Sequence, residues 1–154
     1  MTTFNQAEIN LLAEVRGRIE SLVPLTESVK KFRHRTEREI SDGSIEESTG
    51  RTRLYEIRPG EFVESFEMGA DSRGLKYIYP ILIQYEADSL GKWARVSRHD
   101  AECIRHDLIV NGTTATGTQQ RHLDPAQPYV FGETDDGWII VTCRLAVYYT
   151  VTTA

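Results

Sequence analysis

Residues 139–151 read IIVTCRLAVYYTV, and apolar side chains occupy every second position along the whole stretch. A period of two places alternate side chains on opposite faces of a β-strand, so the stretch predicts a single strand of roughly fourteen residues. Strands in globular proteins usually have about five or six residues. The more apolar face consists of Ile139, Val141, Cys143, Leu145, Val147, Tyr149 and Val151.

The apolar face of this strand must be buried, and the sequence allows two ways of burying it. The strand can curl over helices of its own domain, or part of it can be covered by a second subunit. In the second case the strand predicts a subunit interface. The residues that would form this interface are Ile139, Val141, Leu145, Val147, Tyr149 and Val151.

Two further strands are predicted on the N-terminal side of residue 139. Tyr129–Phe131 precedes the turn sequence TDDG at 134–137, a pattern that predicts an antiparallel C-terminal hairpin. The stretch LKYIYPILIQYE at 75–86 alternates in the same way and predicts an internal strand. Because proline cannot donate to a β-ladder, Pro80 predicts an edge or a bulge in the middle of that strand.

The first of two predicted helices covers residues from about Asn5 to Val23, where apolar residues recur at spacings of three and four. We expect Asn5 to cap this helix and Glu8 to complete a capping box. Pro24 is expected to end it. The apolar stripe of this helix is predicted to be Ile9, Leu12, Val15, Ile19 and Leu22.

The stretch HDAECIRHDLIV at 99–110 predicts the second helix. Ser97 and Asp100 fit a capping box, so we expect this helix to begin near Arg98. At 100° per residue, its side chains separate into an apolar and a polar face. The apolar face is Ala101, Ile104 and Leu108, and the opposite face carries His99, Cys103 and His106.

The polar face of this second helix has two interpretations. His99, Cys103 and His106 could bind a metal ion or serve a small enzyme, since they lie on successive turns. However, the chain has no established metal motif, no recognisable oxyanion donor and no phosphate-binding glycine loop. The pattern therefore favours a packing helix with a polar exterior, and we predict no catalytic residue, no metal and no cofactor.

The segment between the first helix and residue 75 is predicted to contain short strands and a loop. A strand near 29–37 carries Lys30, Lys31, Arg33 and Arg35, which could contact nucleic acid or simply protect a solvated strand edge. Residues 41–52 are rich in Ser, Gly and Glu and predict a mobile surface loop. The turn sequence Arg58-Pro59-Gly60 predicts strands on one or both sides of it.

Composition places the chain among single-domain globular proteins. It has 154 residues, of which 40% are hydrophobic, and its formal net charge is −5. The two cysteines fit a reducing compartment, and nothing suggests a membrane span. Strands occur in groups, which favours the α+β class. We expect one domain over 1–154: a mainly antiparallel mixed β-sheet flanked on one face by two amphipathic helices, with a long C-terminal β-hairpin.

The order of these elements resembles the tail-terminator, or tail-completion, proteins of long-tailed bacteriophages of the lambda-like type. The likeness lies in the N-terminal helix INLLAEVRGRIESLVP, the strand YIYPILIQYE, the helix DAECIRHDLI and the ending DDGWIIVTCRLAVYYTV. It covers most of the chain and concerns the order and texture of elements, without a diagnostic motif. The family has no catalytic residues to carry over.

The resemblance implies a homohexameric ring that caps a completed tail tube and joins it to the head, with DNA passing through the lumen. The partners would be further copies of the chain, the tail-tube protein and head-completion or connector proteins. The protein would lie in the tail or neck of the virion after assembly in the host cytoplasm. In such a ring we expect Lys30, Lys31, Arg33 and Arg35 to face the lumen. Another head–tail connector component is the alternative.

Overall fold

A computed structural model describes residues 3–23, 32–35, 53–67, 69, 72–86, 92–110, 118–123, 129–133 and 138–152. They form two helices and one mostly antiparallel, seven-stranded mixed sheet, which confirms the predicted α+β class. Neither helix is long and apolar enough to cross a membrane within the described residues. The helices are α1 (Phe4–Glu20) and α2 (Lys92–Arg105), the latter followed by a π-helical turn (His106–Val110). The strands are β1 (Phe32–His34), β2 (Arg53–Ile57), β3 (Glu61–Glu67), β4 (Ser72–Glu86), β5 (Thr118–Leu123), β6 (Tyr129–Glu133) and β7 (Trp138–Thr152).

The centre of the sheet is an antiparallel ribbon of its two longest strands. β4 and β7 have 15 residues each and pair along their whole length, from Ser72 opposite Thr152 to Glu86 opposite Trp138. Shorter strands cover the outer edges of this ribbon. β3 and then β2 pair with β4, while β5 and β6 pair antiparallel with β7. β1 adds a parallel strand to β2.

Both helices pack on the same face of this ribbon, which we call the helix face. Tyr79 contacts Glu8 of α1, and Tyr85 contacts Asp100 of α2. The two tyrosines are an even number of residues apart in β4 and therefore point to one side. We call the other side, which carries Lys76, Arg144 and Tyr148, the open face, and none of the described helices packs there.

The helix face of β7 is covered by the chain's own helices and strands. Its odd-numbered residues from Ile139 to Val151 are at most 7% exposed. α1 contributes Ala7, Leu11, Val15 and Ile19 to the same core. The side chains predicted to contact a second subunit are therefore not available for that role. The residues moved from interface to core are Ile139, Val141, Leu145, Val147, Tyr149 and Val151.

The beginning of α1 differs from the prediction. Thr3, not Asn5, is the N-cap, and its Oγ1 accepts a hydrogen bond from the Gln6 amide at 3.3 Å. Glu8 is then free of a capping role and binds the sheet instead. The buried stripe includes Leu11 in place of Leu12, and Ile9 is 53% exposed. The helix thus begins earlier and is rotated from the predicted stripe.

The beginning of α2 also differs, because the helix begins at Lys92 rather than near Arg98. Ser97 lies inside the helix, where its hydroxyl donates to the Ala94 carbonyl at 3.0 Å. Asp100 is 2% exposed and faces the core. The apparent capping box is therefore a pair of buried polar residues on the packing side of the helix.

Pro80 lies in the internal strand β4, so the expected strand edge is not found. Its carbonyl accepts a hydrogen bond from the Arg58 amide at 2.9 Å. Because the N–H and C=O of one residue in an antiparallel strand point to the same side, the nitrogen of Pro80 also faces away from β7. β3 pairs with β4 up to Ile78, and β2 pairs from Ile81 onward. The missing donor therefore falls at the junction of two short strands.

Tyrosine hydroxyls connect α1 to the ribbon at the buried helix face. The Tyr79 hydroxyl donates to Glu8 Oε2 at 2.6 Å and lies 2.7 Å from the Tyr149 hydroxyl. The Tyr55 hydroxyl donates to Glu20 at 3.0 Å near the other end of α1. Burial, reinforced by the neighbouring carboxylate, raises the pKa of Tyr79 and Tyr55 above the usual range, and burial does the same for Tyr149.

These raised pKa values predict alkaline unfolding. An unfolded tyrosine ionises near about pH 10, so the stabilisation is complete below that pH and is lost as the pH rises above it. Each tyrosine that stays neutral in the fold should lower the free energy of unfolding by about 1.4 kcal/mol per pH unit in this window. Denaturant titrations at increasing pH, with tyrosinate absorbance recorded in parallel, measure this effect.

Tyr79→Phe is the matched variant for this titration. It should be less stable at neutral pH, where the Glu8 hydrogen bond is lost, and its stability should fall less steeply above about pH 10. Ionisation of all seven tyrosines near their ordinary pKa in a protein that keeps native near-ultraviolet circular dichroism would contradict the prediction.

Candidate functional site: the exposed edge of the sheet

The polar face of α2 brings together the residues that suggested a metal site. Cys103 Sγ lies 3.4 Å from His99 Nε2, and His106 lines the same open groove of about 440 Å³. The two acidic residues of this groove form ion pairs within the chain. Glu102 pairs with Arg105 at 3.2 Å, and the Asp107 carboxylate lies 3.7 Å from Arg18.

Contacts around this groove favour a packing role. Arg18 of α1 also donates to the Asp107 carbonyl at 2.9 Å, which ties the end of α1 to the π-helical turn after α2. Among the described residues, no three His, Cys, Asp or Glu side chains are arranged to hold a metal ion. The titratable residues at 99–107 thus lie where the end of α1 contacts the turn after α2, and His99 and Cys103 lie beside this contact.

The buried polar side of α2 is a feature that sequence reasoning missed. Asp100 accepts a hydrogen bond from the Tyr85 hydroxyl at 2.7 Å inside the core. Cys143 of β7 is fully buried, and burial together with the Asp100 charge raises the pKa of its thiol to about 12. The Cys143 thiol is therefore a neutral core group near pH 7, unsuited to nucleophilic chemistry.

The basic segment is only partly visible. Lys30, Lys31 and the predicted loop at 41–52 lie outside the described residues. Arg33 is half-buried, and Arg35 lies 3.5 Å from Glu56, a carboxylate that is 5% exposed. Glu56 also pairs with Arg58 at 3.3 Å. Arg35 therefore connects β1 to β2 by a buried ion pair, a structural role that competes with a lumen-facing one.

The most exposed element of the fold is β3, whose seven residues are all solvent-exposed. Three large apolar side chains stand out in it, because Phe62 is 59%, Val63 43% and Phe66 37% exposed. Glutamates at 61, 64 and 67 alternate with them. Among the described strands, β3 pairs only with β4, so its other side is an open edge of the sheet.

Local packing holds β3 in place despite its exposure. The Phe62 ring packs edge-on against Tyr77 at 5.6 Å, and Glu61 accepts a hydrogen bond from Arg144 at 2.9 Å. Phe66 lies over Gly74, where any Cβ would collide with its ring. A β-bulge at Val63 shifts the register between Phe62 and Glu64. The strand is thus anchored to β4, while its apolar side chains stay partly exposed on the two faces of the sheet.

The hydrogen-bonding groups that β3 presents outward follow from the register. Since Pro80 faces β2 and β3, the even-numbered residues of β4 exchange hydrogen bonds with β3. Glu64 and Phe66 are opposite even-numbered residues, whereas Ser65 and Glu67 are opposite Leu75 and Arg73. The N–H and C=O groups of Ser65 and Glu67 therefore point away from the sheet, available for another strand.

Comparison with known proteins identifies no family for this chain, so the candidate site is chosen from its structural features. No protein-family model matches the chain, and no curated protein matches it. The open edge of β3 combines exposed apolar side chains with outward backbone groups. Exposed edges of this kind are sites where another strand can add to a sheet. We therefore take β3 as the candidate functional site.

The buried Asp100–Tyr85 contact predicts a loss of stability in Tyr85→Phe. The change removes one hydrogen bond to a buried carboxylate, so we expect a decrease of about 1–3 kcal/mol in the free energy of unfolding, measured by urea denaturation. Tyr77→Phe is the control, since the Tyr77 hydroxyl makes no hydrogen bond among the described residues. Equal stability of the two variants would contradict the role of Asp100.

Proposed function

We propose that this protein is a structural virion protein of a long-tailed bacteriophage, which forms a ring that terminates the tail tube and joins it to the neck. The observation that carries this proposal is the exposed, apolar edge of β3, which pairs with no second strand among the described residues. Such a strand in a folded domain is a hazard for aggregation unless a specific partner covers it. A ring subunit has such a partner in its neighbour.

The order of elements supports the tail-terminator type in particular. The helix, the central strands, the second helix and the long final strand occur in the sequence order on which that resemblance depends. The in-chain partners of Glu102 on α2, and of Asp107 in the π-helical turn that follows, favour a structural role for this segment, whose titratable residues suggested chemistry. A head–tail connector ring remains the alternative within the same class, since it would use the same kind of edge.

The ring would have the partners that the resemblance implies. Further copies, in a homohexamer, would contact each other through the sheet edge in place of the buried face of β7. The tail-tube protein would bind one side of the ring, and head-completion proteins the other, with DNA in the lumen. Lys30, Lys31 and Arg33 are the basic positions that we propose face the lumen, whereas Arg35 is paired with Glu56.

This proposal predicts that the protein assembles and that assembly depends on β3. We expect light scattering and negative-stain images to show rings at high concentration, or on the ends of purified tail tubes. Val63→Lys should abolish them, since a lysine on an exposed edge opposes strand addition. Ile9→Lys is the control, because Ile9 is a comparably exposed apolar residue on α1.

Two outcomes would count against the proposal. A wild-type protein that stays monomeric up to its solubility limit and does not bind tube ends contradicts a ring terminator. Rings that bind head–neck complexes but not tube ends support the connector instead.

A further inference from the structure

The open edge of β3 has a counterpart on the other side of the sheet. β3, β4, β7 and β5 form a band of four antiparallel strands at one level, since Glu61, Ile78, Ala146 and His122 lie on one rung. β5 pairs only with β7 among the described strands. Within the described residues, one end of the domain thus has two strands that each pair on one side only, β3 and β5, across the ribbon from each other.

The directions of β3 and β5 suit antiparallel pairing between two copies. Neighbouring strands of the band alternate in direction, so with four strands β3 and β5 run opposite ways. If a second copy continued the sheet with its β5 beside β3, the new pair would be antiparallel, like the pairs on either side of it. The helix faces of both copies would then lie on one side.

The hydrogen-bonding groups of the edges are also in phase. The odd-numbered residues of β4 and β7 bond to each other, so the even-numbered residues of β7 bond to β5. Gln120 and His122 are opposite even-numbered residues, whereas Arg121 and Leu123 are opposite Val147 and Leu145. Arg121 and Leu123 therefore present their backbone groups outward, as Ser65 and Glu67 do on β3.

Charge argues against the simplest alternative, a symmetric pair of β3 strands. Full overlap of two antiparallel β3 strands would place Glu64 opposite its own copy and Glu61 opposite Glu67. Like charges directly opposite each other destabilise a strand pair. The three glutamates of this edge thus disfavour full overlap of two β3 strands and favour a partner with positive charge, and β5 has Arg121 and His122 in its sequence.

We propose that copies of this chain join head to tail, with β3 of one copy pairing antiparallel with β5 of the next in the register Glu67 to Arg121 and Ser65 to Leu123. This register pairs Ser65 and Glu67 with the outward-facing Leu123 and Arg121 and places opposite charges across the joint. A head-to-tail contact between two different edges closes into a ring when the rotation allows it. The inference rests on the proposed function and specifies its subunit contact.

Charge reversal across the joint tests this inference. Glu67→Arg alone and Arg121→Glu alone should each weaken the affinity of one joint by roughly tenfold. Each should therefore raise the protein concentration at which half of the protein is assembled, measured by light scattering. The double variant Glu67→Arg/Arg121→Glu should restore assembly toward the wild-type concentration. Thermal unfolding of the dilute monomers checks that each variant is folded.

Disulfide trapping gives a second measurement that leaves the charges unchanged. In this register Phe66 is opposite His122 as a non-hydrogen-bonded pair, whose Cα atoms lie about 4.5 Å apart, within the range of a disulfide. In a Cys103→Ser background, a mixture of Phe66→Cys and His122→Cys proteins should form a disulfide-linked dimer on oxidation. Each protein alone should not.

The outcomes separate this inference from the proposed function. Rings that are indifferent to both charge reversals, and that form no mixed disulfide, overturn the joint and leave the ring intact. Disulfide dimers of Phe66→Cys alone overturn it in favour of a symmetric β3 pair in which Phe66 lies opposite its own copy. A wild-type protein that never assembles, alone or on tube ends, overturns the ring and the joint together.

Discussion

The fifteen-residue pairing of β4 with β7 is the constraint on which the rest of the structure depends. Every second rung places two side chains on the helix face, so an apolar strip runs along the ribbon, and two helices cover it. α1 covers part of the strip, and α2 covers the part near Tyr85. The few polar groups on that strip are satisfied by residues of those same helices, which fixes where each helix docks.

The ribbon was predictable because its pattern is both long and regular. The alternation of apolar residues over Ile139–Val151 predicts a β-strand, and so does the alternation at 75–86. The helical stripes were less well determined. Leu11 and Leu12 are adjacent, so periodicity alone could not decide which of them faces the core, and the structure buries Leu11. The cap was missed for the same reason, since Thr3 and Asn5 both suit that position.

The candidate site could not be predicted, because the exposure of a side chain depends on which other elements pack against it. EFVESFE has apolar and acidic residues in the same proportions as a half-buried strand, and Phe62 or Phe66 would suit a core equally well. Only the pairing of β3 with a single strand shows that these rings lie at an edge. Conversely, the density of titratable residues at 99–107 suggested chemistry, whereas Asp100 and Asp107 connect elements of the fold.

The open edges follow from the length of the ribbon. Two strands of 15 residues have outer edges far longer than an average strand, and each edge is divided between two short strands. Between β2 and β3 the chain passes through Arg58-Pro59-Gly60 and continues in the same direction along β4, and Pro80 lies where no donor is required. Among the described strands, dividing the edge in this way leaves β3 without the additional partner that β2 receives from β1. The exposed strand is thus a consequence of how the ribbon is covered, and its glutamates restrict which strand can complete it.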